Sequence, residues 1–289
     1  MDNKKELKRR IGVTIFLMLA AVGIWAYSYL TEYYKAEPEA LEVLEEGKDT
    51  GTIYASASDS ENLILKADGE TDTGIVFYPG GKVEYTAYLP LLEQLREQGY
   101  DIVLVKMPFN LAFFDMNAAE DVLDNMDEEL PEVKNWYIMG HSLGGATAVT
   151  VGRRSDISAV VDIDGTMLGE ETGVEGGVVT INEEPYETPL FAIANEEHHR
   201  QEMEAVQNSY AYANNIVMKN ATCGYETYFK NAGHMNFTDL PLISPFLANI
   251  LGTGSVDAGE CIDTMNSLIL RFYDCYLKNE GEFSVEESY

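Results

Sequence analysis

The chain is 289 residues long, with 46% hydrophobic and 11% aromatic residues, which is enough apolar side chain for a packed core and too much for a disordered chain. Its formal charge is −30 at pH 7. A surface that acidic repels phosphate backbones and anionic headgroups, which argues against nucleic acid as a partner and against acidic substrates.

Residues 1–34 stand apart from the rest. Lys4, Lys5, Lys8, Arg9 and Arg10 outnumber Asp2, Glu6 and Glu32, so the remaining chain carries −32. After these basic residues comes an uncharged run from Ile11 to Leu30. At about 1.5 Å per residue that run spans roughly 30 Å, the thickness of a bilayer core. Trp25, Tyr27, Tyr29, Tyr33 and Tyr34 gather at its far end, where amphipathic rings favour the membrane interface. Basic flanks stay on the cytoplasmic side, which predicts a single-pass anchor with the body extracytoplasmic. The rival is a cleaved signal peptide and a secreted body. Such a peptide has an apolar region of about 7–15 residues and a small-x-small cleavage site, whereas this run is longer and ends in bulky rings. Residues 35–50, rich in Glu, read as an acidic juxtamembrane spacer, and 51–289 as the main domain.

From residue 51 strands and helices alternate. Gly51–Ala57 and Asn62–Lys66 read as an antiparallel pair, and Gly74–Tyr78 as a short apolar strand leading into Pro79-Gly80-Gly81. Tyr88, Leu92 and Leu95 have helical spacing. Pro90 is tolerated only in a first turn, so that helix starts near Leu89 and Gly99 ends it. Ile102–Val105 is the next strand, Ala118–Met126 a helix, and Trp136–Met139 a strand. Ile157–Ile163, Pro189–Ala194 and Tyr225–Phe229 follow as strands, and Asp257–Lys278 as a closing helix. Short, continuously apolar strands alternating with helices predict an α/β fold with a mainly parallel sheet covered on both faces. The three cysteines, Cys223, Cys261 and Cys275, lack metal-ligand spacing. Cys261 and Cys275 lie about 21 Å apart along one predicted helix, which leaves only Cys223 able to bridge to either. Neither a metal nor a cofactor is expected.

The informative motif is Gly140-His141-Ser142-Leu143-Gly144. The string alone arises by chance in roughly one chain in ten. Here it lies between a strand and a helix rich in small residues, the setting in which a tight turn lifts a nucleophilic hydroxyl clear of a sheet edge. A serine hydroxyl needs a base, and the chain has four histidines. His141 is locked beside the nucleophile with its ring pointing away from it. His198 and His199 begin a predicted solvated helix. His234, in a glycine-flanked loop after the last strand, is the candidate base. A developing oxyanion needs two backbone N–H groups; Leu143, following the nucleophile, and Gly81, after an early strand, are the candidates.

The residues leave three places for an acid to orient His234. One follows the strand Pro189–Ala194, where Glu196 and Glu197 flank the position at His198. Asp164, at the end of the strand before, lies far enough beyond Ser142 for one helix, a turn and a strand. Asp162 shares its strand face and lies deeper in the sheet.

Gly140–Thr147, Asp164 and Gly233-His-Met-Asn-Phe-Thr-Asp239 resemble the platelet-activating-factor acetylhydrolases and dienelactone-hydrolase-like proteins of the α/β-hydrolase superfamily. Val76–Val83 and Lys106–Leu111 are similar to bacterial members of the broader group, so the likeness covers 72–245 in patches. Pro79 departs from the pattern, standing where a histidine often precedes the oxyanion glycine. The resemblance implies an α/β-hydrolase fold, a triad of Ser142, Asp164 and His234, no cofactor, and a small-molecule ester with a short acyl group as substrate. The same acyl-enzyme would serve an acyltransferase, and a degenerate copy of the fold would serve as a membrane-tethered binding module. Phe113, Phe114 and the apolar run 237–251 are candidates to line an acyl pocket, and the excursion between Asp164 and Pro189 to overhang it.

Overall fold

The computed structural model describes residues 2–58, 61–126, 128–154, 156–166, 172–175, 178–206, 210–238, 254–277 and 282–289. The chain divides into two compact units, residues 1–34 and 35–289. The first is one helix, α1 (Asp2–Thr31). Its segment Arg9–Ser28 is long and apolar enough to cross a membrane, a test that an anchor and a signal sequence both pass.

The second unit starts before the expected catalytic domain. Residues 38–50 form a helix, α2 (Pro38–Thr50), rather than a spacer, with Ala40 and Gly47 buried against the body. Pro38 sits in the first turn, and Gly51 at φ 80° ends the helix. The many glutamates that suggested a solvated linker all lie on its outer faces.

Next come β1 (Ile53–Ala55), β2 (Leu63–Leu65), β3 (Thr73–Tyr78), α3 (Leu89–Glu97), β4 (Asp101–Leu104), α4 (Ala118–Asn125) and β5 (Asn135–His141). After Ser142 follow α5 (Leu143–Val151), β6 (Ile157–Ile163), the hairpin β7 (Thr172–Glu175) and β8 (Val178–Ile181), then β9 (Leu190–Asn195) and α6 (Glu196–Met203). The chain closes with α7 (Tyr210–Asn220), β10 (Gly224–Phe229) and α8 (Ala258–Leu277). Among the described residues eight strands form one sheet in the order β1-β2-β4-β3-β5-β6-β9-β10, antiparallel at the β1 end and parallel from β4 onward. Every residue of β3 and β4 is buried, as a parallel strand covered on both faces requires.

Side chains alternate between the two faces. Val76, Tyr78, Val103 and Ile138 meet Ala119 and Val122 of α4, Ala148 and Val149 of α5, and Ala213 and Val217 of α7 in one cluster. On the opposite face Phe77 packs on Tyr88, Tyr137 on Tyr273 and Phe191 on Phe272, so α3 and α8 cover that side. The carboxyl ends of β3, β5, β6, β9 and β10 all open on one edge, where parallel α/β sheets place their sites.

Residues 286–289 lie alongside β10. Tyr228 and Ser288 form a parallel bridge, Tyr289 N–H donates to Tyr228 O at 3.0 Å, and Lys230 N–H to Tyr289 O at 2.8 Å. Cys223, Cys261 and Cys275 form no disulfide, and Cys223 Sγ meets Tyr276 Oη.

Candidate active site

Ser142 stands between the end of β5 and the start of α5, with φ 57° and ψ −122°. A residue with a Cβ tolerates that backbone only where its surroundings impose it. Here Ser142 N–H donates to Ile163 O at 2.8 Å, and its carbonyl accepts Ala146 N–H at 3.1 Å. Glycine is required on both sides of the turn. A Cβ at Gly140 would lie 2.3 Å from Gly144 O, and one at Gly144 2.2 Å from Tyr78 O. The helix can therefore start against the strands only without side chains there.

His234 opens a 3-10 turn, His234–Phe237, just beyond β10. Its Nε2 lies 2.8 Å from Ser142 Oγ and its Nδ1 2.5 Å from Asp164 Oδ2. A carboxylate opposite Nδ1 fixes the proton on that nitrogen, which leaves Nε2 bare to accept from the serine hydroxyl. The structure thus brings Ser142, His234 and Asp164 into one hydrogen-bonded series. Asn236 shapes the turn: its Oδ1 accepts Gly233 N–H and Gly254 N–H, each at 2.7 Å, and its Nδ2 donates to Val256 O at 3.0 Å. The sequence reading recorded Asn236 only as part of a motif.

Asp164 is buried at the end of β6, itself at φ 55°. Besides His234 it accepts Asn195 N–H at 2.8 Å, the Asn195 side-chain amide, and His198 Nδ1–H at 2.9 Å. Burial alone would raise its pKa, but the hydrogen bonds from His198 and His234 override burial and hold the carboxyl well below the usual range. Asp162, also buried, accepts Gly165 N–H at 3.0 Å and makes no bond to a histidine among the described residues. Burial, with Glu202 and Asp164 nearby, pushes it up to about 7. Glu196 accepts Asn231 N–H at 2.8 Å, and Glu197 pairs with Arg200 in solvent; neither meets His234.

The His141 ring bonds elsewhere than to Ser142. Gly80 N–H donates to Tyr88 Oη at 2.9 Å, whose hydroxyl donates to His141 Nδ1 at 2.8 Å. His141 Nε2–H then donates to His234 O at 2.9 Å. Burial first, and the neighbouring His234 second, lower His141 to about 3, so the ring stays neutral with one donor and one acceptor, as this chain needs. It ties the Pro79–Gly81 loop to the His234 turn. Donor atoms of His141, Asp164 and His234 lie within 4.8 Å of one another, but both nitrogens of His141 are already engaged, so the arrangement fits a hydrogen-bond network better than a metal centre.

Gly81 packs against the Leu143 side chain. Among the described residues neither the Gly81 nor the Leu143 amide donates to a protein acceptor. A cavity of about 620 Å³ opens over Ser142 and His234, lined further by Leu143, Thr166, Asn195 and Gln201. Of the expected acyl-pocket residues, Phe114 is exposed and meets Phe109 edge-on at 5.5 Å, and Phe237 is buried against Phe229 and His141. The side chain of Phe113 and residues 239–251 lie outside the described residues. In the excursion between Asp164 and Pro189, Thr166 lines the cavity, while Ile181 reaches the core.

The model of the α/β hydrolase family matches residues 74–168, the span from β3 to just beyond Asp164. The fold is that of a ferulic acid esterase from Streptomyces cinnamoneus (TM-score 0.56, 20% identity, 76% of this chain and 72% of that one). It is also that of an esterase from Pyrococcus furiosus (0.53, 12%, 80% and 94%). A dienelactone hydrolase from Anabaena variabilis shares it as well (0.51, 13%, 78% and 98%). The chain therefore has the α/β-hydrolase fold. No curated protein matches it. Of the three places considered for the acid, the first turn of α6 presents His198 to the site, and the carboxylate that meets His234 comes from the end of β6.

His198 is the residue the sequence reading missed. It was assigned to a solvated helix start, yet its ring is largely buried against Asp164. One signal was available: one of the three places considered for the acid, the position flanked by Glu196 and Glu197, falls on this histidine.

Proposed function

We propose that the chain is a serine hydrolase of carboxylic esters that works through an acyl-enzyme on Ser142. The observation that carries this reading is the hydrogen-bonded series Ser142 Oγ, His234 and Asp164, at 2.8 and 2.5 Å, on a serine held at φ 57°. As Ser142 Oγ attacks the ester carbonyl, His234 Nε2 takes its proton, and the resulting imidazolium is held by Asp164. The Gly81 and Leu143 amides donate to the oxyanion. When the intermediate collapses, the carbonyl carbon–alkoxy bond breaks and His234 returns the proton to the departing alcohol. Water then attacks the acyl-enzyme with His234 again as base, releasing the acid and restoring Ser142. Neither a metal nor a cofactor takes part in these steps.

The substrate is a small ester with a short acyl group, a choice supported by the family resemblance. The full-length chain, in detergent, should be labelled by a fluorophosphonate probe and should turn over nitrophenyl esters fastest at about two to four acyl carbons. Turnover that climbs steadily past about eight carbons would replace this with a long apolar pocket of the lipase kind.

We further place the catalytic unit outside the cytoplasm, held by α1. This is supported by the basic residues before Ile11 and the aromatic residues after it. Protease added to intact cells should digest the body and leave an N-terminal fragment in the membrane. A fully protected body would reverse the orientation, and a shortened soluble form would make α1 a cleaved signal.

A further inference from the structure

The carboxylate that orients His234 is shared with a second histidine. β9 runs parallel to β6 with Ile193 opposite Ile163, so the chain leaving β9 emerges beside Asp164. Asn195 caps α6 by accepting His198 N–H at 2.9 Å, and that first turn sets His198 Nδ1 at 2.9 Å from Asp164 Oδ1. His234 Nδ1 is on Oδ2. Each imidazole therefore takes one oxygen of a single buried carboxylate. The far nitrogen of His198 lies 3.3 Å from Thr166 Oγ1 and 3.5 Å from Glu202 Oε1.

The titratable groups facing His198 among the described residues are all carboxyl groups, and burial pushes two of them, Asp162 and Glu202, up to about 7. Asp164 and Asp162 come from β6 and Glu202 from α6 itself, while Glu226 on β10 acts on Glu202. From α7, Asn214 adds only a neutral amide, bonded to Glu202 and to Gly165 O. His234 faces Asp164, Ser142 and the neutral ring of His141, 4.7 Å away centre to centre. Burial works against a charge on His198, but the Asp164 hydrogen bond and the surrounding carboxylates outweigh it and push the ring up to about 9. The sign follows directly: a raised histidine carries its proton at neutral pH and loses it only as pH climbs toward 9.

We propose that His198 is a positioning residue that holds Asp164 by Oδ1, turns Oδ2 toward His234 and sets how strongly that carboxylate draws a proton onto His234. The inference rests on the hydrolase reading above. Two effects are combined in one side chain. The Nδ1–H bond keeps the carboxylate turned so that Oδ2 faces His234. The positive charge already balances Asp164, so the carboxylate draws a proton onto His234 less strongly. Without that charge Asp164 would favour the protonated His234, and a larger share of the enzyme would have no free base.

His198→Asn separates the two effects, because its amide N–H can stand where Nδ1–H stood but carries no charge. The acidic limb of its kcat/KM profile should move up by about one pH unit, with the plateau within about threefold of the parent. His198→Ala loses the donor as well, so its plateau should also fall by about tenfold or more as Asp164 loosens. Thermal melting shows whether each variant is folded. If both variants keep the parent limb, with or without a lower plateau, His198 is only structural and the proposal is wrong. A second arm needs no turnover. Imidazole nitrogen shifts of the full chain, assigned by difference from His198→Asn, should show His198 still protonated at pH 7.5, and titration near pH 6.5 would overturn its role as an imidazolium. Failure of the parent chain to label or turn over ester would sink the hydrolase reading, and the nitrogen shifts would still report on His198.

Discussion

Ser142→Ala should lower ester turnover by roughly 10⁶-fold and abolish fluorophosphonate labelling. The substitution removes one oxygen and little else. Alanine at φ 57° is no more strained than serine there, and the bonds from Ser142 N–H to Ile163 O and from Ala146 N–H to the Ser142 carbonyl are backbone contacts that survive. The variant should therefore melt close to the parent. His234, Asp164 and the two amides also remain, so a residue of catalysis above the uncatalysed rate is expected from oxyanion stabilisation and binding alone. Turnover above about one per cent of the parent, with correct folding, would mean that another group is the nucleophile and would remove the basis of the proposed mechanism.

The second large effect concerns the acid. Asp164→Asn should cut kcat by roughly 10²- to 10⁴-fold. Two imidazole N–H groups, from His234 and His198, now point at one carboxylate. An asparagine offers a single oxygen and a single NH2, so one histidine must face a donor. If that is His234, its proton shifts to Nε2, the nitrogen that has to receive the serine proton, and the base is lost. Asp162→Asn leaves both contacts in place and should change kcat less than about tenfold, as should Glu196→Gln and Glu197→Gln, outside the hydrogen-bonded series. A collapse in a Glu variant with Asp164→Asn spared would move the acid to the first turn of α6.

Much of the architecture could be read from local pattern. The short apolar runs became β3 to β6 and β9 within a residue or two, because a strand buried on both faces needs apolar side chains at consecutive positions. Pro90 marked the start of α3 at Leu89, since proline lacks the N–H that later turns require. Ser142 and His234 were legible as candidates for the same reason: each sits in a glycine-flanked turn after a strand.

What escaped reading depends on strand order. β6 and β9 are neighbours in the sheet, with the β7–β8 hairpin between them in the chain. Nothing local to Glu196–Arg200 announces that its third residue meets a carboxylate 34 positions earlier. The Gly80–Tyr88–His141–His234 chain is hidden in the same way, since it joins three loops through one buried ring. Helix α2 was obscured by composition, because its glutamates suggested a linker while two small residues, Ala40 and Gly47, do the docking.

The segment 286–289 has a consequence for how the molecule behaves in company. Among the described residues β10 is the last strand of the sheet, and an open strand edge is a template on which another molecule's backbone can pair. Tyr228 and Lys230 bond instead to Glu287 and Tyr289, and the Tyr289 ring lies 5.8 Å from Phe229. These last residues act as a selvedge, a finished border that keeps the sheet from being extended by a neighbour. On a body carrying −32, charge repulsion already keeps copies apart at low salt. The border matters most where salt screens that repulsion and pairing between backbones decides whether the protein stays single or aggregates.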